Sequence, residues 1–379
     1  MPVTRENAGC AADLRDVARR LAARTKIANI ETTIACGSDL RVSEPGRRRA
    51  TGGVALGCEY DARDVTAGTS ARTETAPSKV TVGVADELRV GDPTRWKALT
   101  IFPLFYEGPV GPPYRLLIDA VEAGDVTVEE RGVGTVPALK LVNRATTMVL
   151  ITQGEELVGG KQNRIVNVSL LVPPKAVLDL PVSCVEAGRW RTTRRTFRPS
   201  QQAFPRLRRA VAAQVARSVA AARVRWADQA AVWEHVDTAL ALATASTRTR
   251  ALDDAFRAKR SPLRQAERAI PYVEGAAGLA CAIGGRLVYA EFFDRPEACR
   301  RMWQRLVRSA ALEAALATSH AGQVSSEEVA AWLRSVKDGA LQRFPAIGIG
   351  DEVHLSGKNI EGSLLMYEGV VIHATLFRP

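Results

Sequence analysis

The pattern of hydrophobic and polar positions predicts a β-rich first half for the globular part of the chain. Between residues 96 and 190, short apolar runs rich in β-branched residues alternate with turn-forming residues, as strands do. Residues 136–153 are predicted to form a hairpin that turns at Asn143 and Arg144. The other predicted strands are residues 99–106, 114–120, 126–130, 164–172 and 180–185.

The pattern then changes to a helical period and returns to strands near the C-terminus. Residues 199–270 are predicted to be helical, because apolar residues recur every fourth position along one stripe: Leu207, Val211, Val215 and Val219. Two hairpins of equal length follow, 278–293 and 362–377, with helices predicted between them at 296–317 and 326–336. Glycines and aromatic residues match between the hairpins, which indicates either a distant internal duplication or the same turn chemistry used twice.

Together these patterns predict an α+β fold with a β-rich first half, a helical middle and two C-terminal β-hairpins separated by helices. Residues 96–379 are expected to form a single α+β domain, since the hairpins are too small to be stable alone. Residues 1–95 are expected to be a poorly structured N-terminal extension, because turn formers dominate there and aromatic residues are almost absent.

The formal net charge of +11 is concentrated in one arginine-rich segment. Residues 187–227 contain 11 arginines and neither a lysine nor an acidic residue. Such a segment is typical of proteins that bind phosphate, nucleotides or nucleic acid, so residues 189–225 are a candidate nucleic-acid interface. The alternative is a solvated helix face in a protein rich in arginine.

The chain lacks the marks of a secreted, membrane-spanning or metal-binding protein. No run approaches the roughly 18 apolar residues of a membrane span, and the N-terminus lacks the apolar core of a secretory signal. A cytoplasmic location without membrane attachment is therefore expected. Six cysteines occur without a CxxC pair and four histidines show no ligand spacing, so no zinc site and no histidine-based iron site is expected.

Residues 154–190 hold the densest set of polar residues between apolar runs, which makes them the candidate site. The run GEELVGGK resembles a phosphate-binding P-loop, but its glycine spacing is one residue off, Gln162 replaces the required Ser or Thr, and a strand follows instead of a helix. A glycine-lined turn with cationic neighbours can still bind an anion; the alternative is a plain β-turn whose cations face solvent. The candidate ligand-binding residues are Gly154, Gly160, Lys161, Gln162, Asn163, Arg164, Arg189 and Trp190.

Three carboxylates and one thiol in the same stretch are the candidate catalytic residues: Glu155, Glu156, Glu186 and Cys184. A carboxylate becomes a general acid or base when burial or a neighbour shifts its pKa. Glu155 and Glu156 are adjacent, so in an extended strand only one of them faces a given site. Cys184 would be a nucleophile if Arg189 stabilised its thiolate and a histidine served as base, and the nearest in sequence is His235. The alternatives are surface carboxylates and a buried structural cysteine.

Three motifs carry a family resemblance: GEELVGGKQNR, PVSCVEAGRW and IEGSLLMYEGVVIHATLF. They resemble the ARG-and-rhodanese-phosphatase-superfamily-associated protein domain family, formerly a domain of unknown function, over roughly residues 96–377. The family name records an association with ADP-ribosylglycohydrolase-type and rhodanese-type phosphatase proteins. The resemblance therefore implies a part in ADP-ribose, NAD-derived nucleotide or phosphoester metabolism.

The expected function is binding or processing of an ADP-ribose/NAD-derived or other phosphorylated nucleotide-like ligand. In that case Lys161, Arg164 and Arg189 would hold phosphate and Trp190 would stack on a planar ring. The alternative is a non-enzymatic protein that contacts nucleic acid or a protein partner through its arginine-rich helix. Neither the motifs nor the composition indicates a reaction, a cofactor or an oligomeric state.

Overall fold

Three β-sheets and seven α-helices make up the regular structure of the described residues, which in this computed structural model are 85–132, 137–317 and 322–379. The predicted α+β fold is confirmed, because strands dominate the first half, helices occupy the middle and hairpin strands form the C-terminus.

The strands are β1 (Leu88–Val90), β2 (Thr94–Trp96), β3 (Leu99–Tyr106), β4 (Tyr114–Leu116), β5 (Val126–Glu130), β6 (Ala138–Asn143), β7 (Met148–Ile151), β8 (Glu155–Val158), β9 (Arg164–Val166), β10 (Leu170–Val172), β11 (Val177–Cys184), β12 (Arg198–Gln202), β13 (Gly278–Ile283), β14 (Arg286–Phe293), β15 (Ala340–Pro345), β16 (Asp351–Ser356), β17 (Glu361–Tyr367) and β18 (Val370–Phe377). The helices are α1 (Leu117–Glu122), α2 (Pro205–Ala222), α3 (Gln229–Ala243), α4 (Leu252–Ala258), α5 (Arg260–Ala269), α6 (Pro296–Leu316) and α7 (Ser326–Arg334), followed by a 3₁₀ turn, Ser335–Asp338.

The largest sheet has nine strands and is antiparallel. Its order is β1-β3-β13-β14-β18-β17-β16-β15, with β2 also paired to β3. Side chains alternate between its faces, so Leu99 and Ile101 of β3 enter one core while Phe102 and Leu104 enter another. The larger core lies between this sheet, the two smaller sheets and helices α1–α6, and the smaller core lies under α7 on the opposite face.

The two hairpins β13–β14 and β17–β18 match each other at an interval of 84 residues. In each, a glycine at or near the start faces the returning strand: Gly278 pairs with Phe292, and Gly362 pairs with Leu376. The register also shifts at the same place in both, directly after Cys281 and 84 residues later. A common turn does not require a shared bulge, so the structure favours the internal duplication.

The hairpins meet along β14 and β18, where Glu291 lies opposite Thr375. These two residues are themselves 84 positions apart, so an approximate two-fold axis at this pair relates β1, β3, β13 and β14 to β15, β16, β17 and β18, in that order. The first half differs by a long insertion, residues 107–277, between β3 and β13. The candidate site lies entirely within this insertion.

The insertion contains the two smaller sheets and helices α1–α5. The six-stranded sheet has the order β12-β8-β9-β11-β6-β5 and is antiparallel. The three-stranded sheet has the order β10-β7-β4, in which β4 and β7 run parallel. Helix α2 begins at Pro205, and its predicted apolar stripe from Leu207 to Val219 is buried.

The predicted hairpin of residues 136–153 is wrong (residue 136 itself lies outside the described residues). Strand β6 pairs with β5 and β11, whereas β7 pairs with β4 and β10 in a different sheet. The buried side chain of Asn143 explains this, because its amide donates to the carbonyl oxygens of Thr147 and Pro173 and its oxygen accepts from the Ala145 N–H. This local turn sends the chain into another sheet rather than back along β6.

Two further predicted strands are interrupted. Residues 164–172 form β9 and β10 in different sheets, because Asn167 and Ser169 between them bond to distant parts of the chain. Residues 114–120 form the short strand β4 and then the helix α1. Strands β15 and β16 are additional elements that the hydrophobic pattern does not predict.

The first sheet begins before the expected domain boundary. The sequence pattern assigns residues 85–95 to the N-terminal extension, but β1 and most of β2 lie there and pair with β3. The remainder of the expected extension, residues 1–84, lies outside the described residues. All described residues belong to one compact unit, and no helix among them has the length and apolar character needed to cross a membrane.

We predict that Gly362→Ala lowers the free energy of unfolding by about 2 to 4 kcal/mol, measured by urea denaturation. A Cβ atom at this position would lie 2.2 Å from the Thr375 carbonyl oxygen, which belongs to the neighbouring strand and cannot move away cheaply. The control is Gly369→Ala in the turn of the same hairpin. Its φ is +84° and a Cβ there meets no atom within 4 Å, so we expect a loss of only about 1 kcal/mol. Equal losses in the two variants would contradict the close strand approach.

Candidate functional site

The sheet brings the two polar clusters of the candidate site together. Strand β9 lies between β8 and β11, and Arg164 of β9 is paired with Cys184 of β11. Beyond this pair, the Val185 N–H donates to the Asn163 carbonyl oxygen and the Asn163 N–H donates to the Glu186 carboxylate. The segments 154–164 and 184–190 are therefore one structural unit.

Arg189 holds this unit together through hydrogen bonds from its buried side chain. All five N–H groups of its buried guanidinium are directed at protein acceptors within hydrogen-bond distance. These acceptors are the carbonyl oxygens of Gly159, Gly160 and Arg191, the side-chain oxygens of Asn163 and Thr193, and both carboxylate oxygens of Glu186. Arg189 thus has no donor left for phosphate, and it positions the loop that precedes β9.

Glu186 is the anionic partner of this arginine rather than a poised base. Arg189 Nη2 lies 2.6 Å from one carboxylate oxygen and Nε lies 2.9 Å from the other. Burial raises the pKa of Glu186, but hydrogen bonds from Arg189, Thr249 and the Asn163 backbone outweigh this and hold the pKa below its ordinary value. An ionised carboxylate with these partners is a weak proton acceptor, so its role is structural.

Strand alternation places the remaining candidates on opposite faces of the six-stranded sheet. Leu157, Arg164 and Cys184 are paired across three strands and share one face. Glu156 is paired with Ile165 and therefore points to the other face. The candidate acid–base group and the candidate nucleophile are consequently separated by the sheet.

Cys184 is a buried thiol in contact with Arg164, not Arg189. The Arg164 Nη1 lies 2.9 Å from its sulfur, and Gln229 bonds to both its backbone N–H and its carbonyl oxygen. The expected base, His235, lines a different small cavity of about 20 Å³ with Arg206 and Glu313. The geometry matches the structural role more closely than the nucleophilic one.

Arg164 is the least satisfied charged group at the site. Its side chain is 0% exposed, and only Nη1 makes hydrogen bonds, to Gln162 and Cys184. Nε and Nη2 are buried without a hydrogen-bond partner, and the nearest carboxylate, that of Glu130, lies 3.9 Å from Nη2. Buried guanidinium groups normally have all their N–H groups paired, so these two nitrogens call for an explanation.

Glu155 and Glu156 differ sharply in environment. Glu155 accepts a hydrogen bond from Arg305 of α6 at 2.7 Å, whereas both carboxylate oxygens of Glu156 are buried without a partner. Burial, followed by the nearby charge of Asp253, raises the pKa of Glu156 to about 8. The Gln201 backbone, which makes no hydrogen bond to this carboxyl group, and the Arg305 charge lower the pKa, but they offset only part of this rise. Glu156 is therefore protonated at neutral pH.

Only two of the candidate residues offer a side chain to solvent. Trp190 is 49% exposed, and the Lys161 ammonium lies 5.1 Å from its ring centroid in a cation–π contact. Gly154 and Gly160 serve the fold, because both have positive φ and a Cβ atom would collide with Arg208 and Phe197 respectively.

The sequence patterns miss a buried polar network at the centre of the molecule. His373 Nε2 lies 3.0 Å from Glu291 Oε1, and His373 Nδ1 lies 3.0 Å from Ser169 Oγ. Arg208 Nη1 donates to the second Glu291 oxygen at 2.6 Å. The Gln153 N–H donates to the Ser169 hydroxyl. The network joins α2, the nine-stranded sheet and the insertion.

The order serine, histidine, carboxylate resembles a catalytic relay, but the environment is structural. Ser169 is only 8% exposed, His373 and Glu291 are buried, and each polar atom of the relay has a protein partner. Burial raises the pKa of Glu291, but Arg208 and His373 outweigh it and hold that pKa below its ordinary value. Polar residues at inward positions of the apolar run 286–293 were the available sequence signal.

Among the described residues, six of the eleven arginines of the expected nucleic-acid interface pair with carboxylates. Arg189 and Arg195 pair with Glu186 and Glu129, and the four pairs farther along the segment are Arg206–Glu313, Arg208–Glu291, Arg209–Glu361 and Arg225–Glu352. These four pairs hold α2 and the segment after it against α6 and strands of the nine-stranded sheet. A separate group of arginines is exposed in segment 191–198, directly after Trp190.

We predict that Arg189→Lys lowers the free energy of unfolding by about 2 to 4 kcal/mol in urea denaturation, because lysine cannot reach the acceptors of a planar guanidinium and leaves Glu186 underpaired. Arg191→Lys is the matched control, since that side chain is exposed and makes no ion pair among the described residues, and we expect a change below about 0.5 kcal/mol. Similar stability in both variants would show that Arg189 does not fasten the loop.

We predict that Glu156→Gln stabilises the protein progressively as pH rises. The folded state retains the Glu156 proton up to about pH 8, whereas the unfolded chain releases it near 4.5, so stability falls between these values. The neutral amide removes this loss, which is about 4 kcal/mol at pH 8 and near zero at pH 4. Thermal unfolding of both proteins across this range checks it, and a pH-independent difference between them would contradict the raised pKa.

The comparisons with known proteins point to one family. Residues 87–377 match the family described as the ARG and Rhodanese-Phosphatase-superfamily-associated Protein domain, ARPP-1. No curated protein and no solved structure matches the chain. The matched range covers well over half of the chain and contains all twelve predicted site residues, which confirms the resemblance seen in the motifs. The chain belongs to the ARPP-1 family.

Proposed function

We propose that the protein binds a phosphorylated, ring-containing ligand of the ADP-ribose or NAD-derived class at the surface formed by Trp190, Lys161 and segment 191–198. The observation that carries the proposal is the half-exposed indole of Trp190, held beside a lysine on a loop that a buried arginine fixes. A planar ring stacking on such an indole gains about 1 to 3 kcal/mol.

The fixed position of the loop that carries Trp190 supports a binding role. Trp190 directly follows Arg189, whose hydrogen bonds hold loop 159–163 and the start of segment 191–198 together. A side chain that is already positioned loses little conformational entropy when a ligand stacks on it. This distinguishes Trp190 from an apolar side chain exposed by chance on a mobile loop.

The charge beside Trp190 supports a phosphorylated ligand. Lys161 lies over the ring, and Arg191 and Arg194 are exposed without an ion-pair partner among the described residues. Cations grouped beside an aromatic platform suit a ligand that carries both a ring and a phosphate. The family name, which records association with ARG and rhodanese-phosphatase proteins, agrees with this ligand class.

The proposal is for binding and assigns no reaction. Glu156 faces the other side of the sheet, Glu186 is paired with Arg189, and Glu155 is paired with Arg305. The nucleic-acid alternative through α2 has weak support, because three of that helix's arginines pair with glutamates.

We predict that ADP-ribose or NAD raises the melting temperature and binds measurably in calorimetry, and that Trp190→Ala weakens binding on the order of tenfold. Leu242→Ala is the matched control, because Leu242 is equally exposed at 49% and lies elsewhere. Lys161→Ala should also weaken binding, whereas Lys97→Ala, which removes a similar lysine over Trp96, should not.

Three outcomes would overturn the proposal. The first is the absence of binding by every ring-containing phosphorylated ligand, and the second is equal effects of Trp190→Ala and Leu242→Ala. The third is tighter binding to DNA or RNA that increases with oligonucleotide length and falls steeply with salt, which would favour a nucleic-acid-binding protein.

A further inference from the structure

Glu130, the last residue of β5, lies between Lys161 and Arg164 of the candidate site. Its Oε1 accepts a hydrogen bond from the Lys161 N–H at 2.8 Å and lies 3.9 Å from Arg164 Nη2. Its Oε2 is buried and has no hydrogen-bond partner. The carboxylate therefore approaches both donors but satisfies only one of them.

The loop is shaped to admit this carboxylate. Gly160 has a φ of +48°, and a Cβ atom there would lie 2.4 Å from Glu130 Oε1. A left-handed glycine directly before Lys161 lets the Lys161 N–H point at an anion, as in backbone anion sites. The anion position is thus defined by main-chain geometry as well as by charge.

Arg164 is the donor at the anion position to which Glu130 makes no hydrogen bond. Its guanidinium is completely buried, and its Nε and Nη2 lack hydrogen-bond partners although an acidic side chain is nearby. At 3.9 Å the Glu130 contact is an ion pair without a hydrogen bond. A phosphate group has more acceptor oxygens in a tetrahedral spread than a carboxylate, so it can bond to both Arg164 and the Lys161 N–H.

One residue, Lys161, connects the anion position to the exposed ring of Trp190. Lys161 gives its backbone N–H to Glu130 and places its ammonium over the Trp190 ring. A ligand with a ring on Trp190 therefore has its phosphate on the side where Glu130 lies. Glu130 is 13% exposed, so it has a path toward solvent.

We infer that Glu130 is a built-in competitor that occupies the phosphate position, and that a bound phosphate displaces it and takes over the Lys161 N–H and Arg164. This inference rests on the proposed function and adds how the site is kept closed to weak anions. Its consequence is that removing the Glu130 charge strengthens anion binding, although an acidic residue lost from most protein surfaces has little effect.

The decisive variant is Glu130→Gln, tested by calorimetry with ADP-ribose and with inorganic phosphate. We expect affinity for both to increase about tenfold, since the neutral amide competes less for Arg164. Glu129→Gln is the matched control, because the adjacent Glu129 pairs only with the exposed Arg195 at 4.0 Å, and we expect affinity within twofold of the original. Arg164→Lys in the Glu130→Gln background should remove the gain.

A second measurement tests the inference even if Glu130→Gln lowers the stability of the protein. Without the Glu130 charge, buried Arg164 lacks its counterion, so Glu130→Gln should melt earlier in chloride and be restored by phosphate more than the original protein is. If Glu130→Gln fails to fold, Glu130→Asp, which withdraws the carboxylate by one methylene, should raise phosphate affinity by a smaller factor.

The outcomes separate this inference from the proposed function. If ADP-ribose binding depends on Trp190 but Glu130→Gln leaves affinity unchanged or lowers it, Glu130 is not a competitor and the proposed function stands. If Glu130→Gln strengthens phosphate binding but no ring-containing ligand binds, the anion position stands and the proposed function fails. Equal gains in Glu129→Gln and Glu130→Gln would reduce the effect to general charge and overturn the inference.

Discussion

The ion pair between Arg208 and Glu291 is the interaction on which the arrangement of the layers depends. Both side chains are completely buried, so each charge must be met by protein atoms. The ion pair holds α2 against the centre of the nine-stranded sheet. It also requires a glycine at position 154, where a Cβ atom would lie 2.7 Å from Arg208. Because Gly154 directly precedes β8, the same pair determines where the candidate site begins.

Three buried arginines illustrate how one residue type takes different roles. Arg208 and Arg189 have their N–H groups directed at carboxylates, carbonyls and side-chain oxygens, and they hold segments together. Arg164 is equally buried but keeps two nitrogens without hydrogen bonds. The first two stabilise the native arrangement, whereas the third has donors that the fold does not use. This contrast, rather than the number of arginines, sets Arg164 apart from the other two.

Local patterns were sufficient for the elements whose burial follows a simple period. The Leu207 stripe of α2 and both C-terminal hairpins are present as predicted, and the two polar motifs are adjacent. The division of residues 164–172 was not predictable, because Asn167 and Ser169 find partners 58 and 204 residues away. The roles of Arg189 and Glu130 likewise depend on tertiary partners, so their residue types alone do not reveal whether they bind ligand or fix the fold.

The insertion between β3 and β13 has a consequence for the order of folding. Ile101 and its partner Cys281 are 180 positions apart, whereas Leu355 and Gly362 in the corresponding strands of the other half are seven apart. Closing the longer loop costs about 3 kcal/mol more chain entropy. The C-terminal meander β15–β18 is therefore expected to form first, and the first half of the sheet is expected to close only after the insertion has brought its own ends together. The insertion that contains the candidate site is thus expected to limit how quickly its supporting sheet is completed.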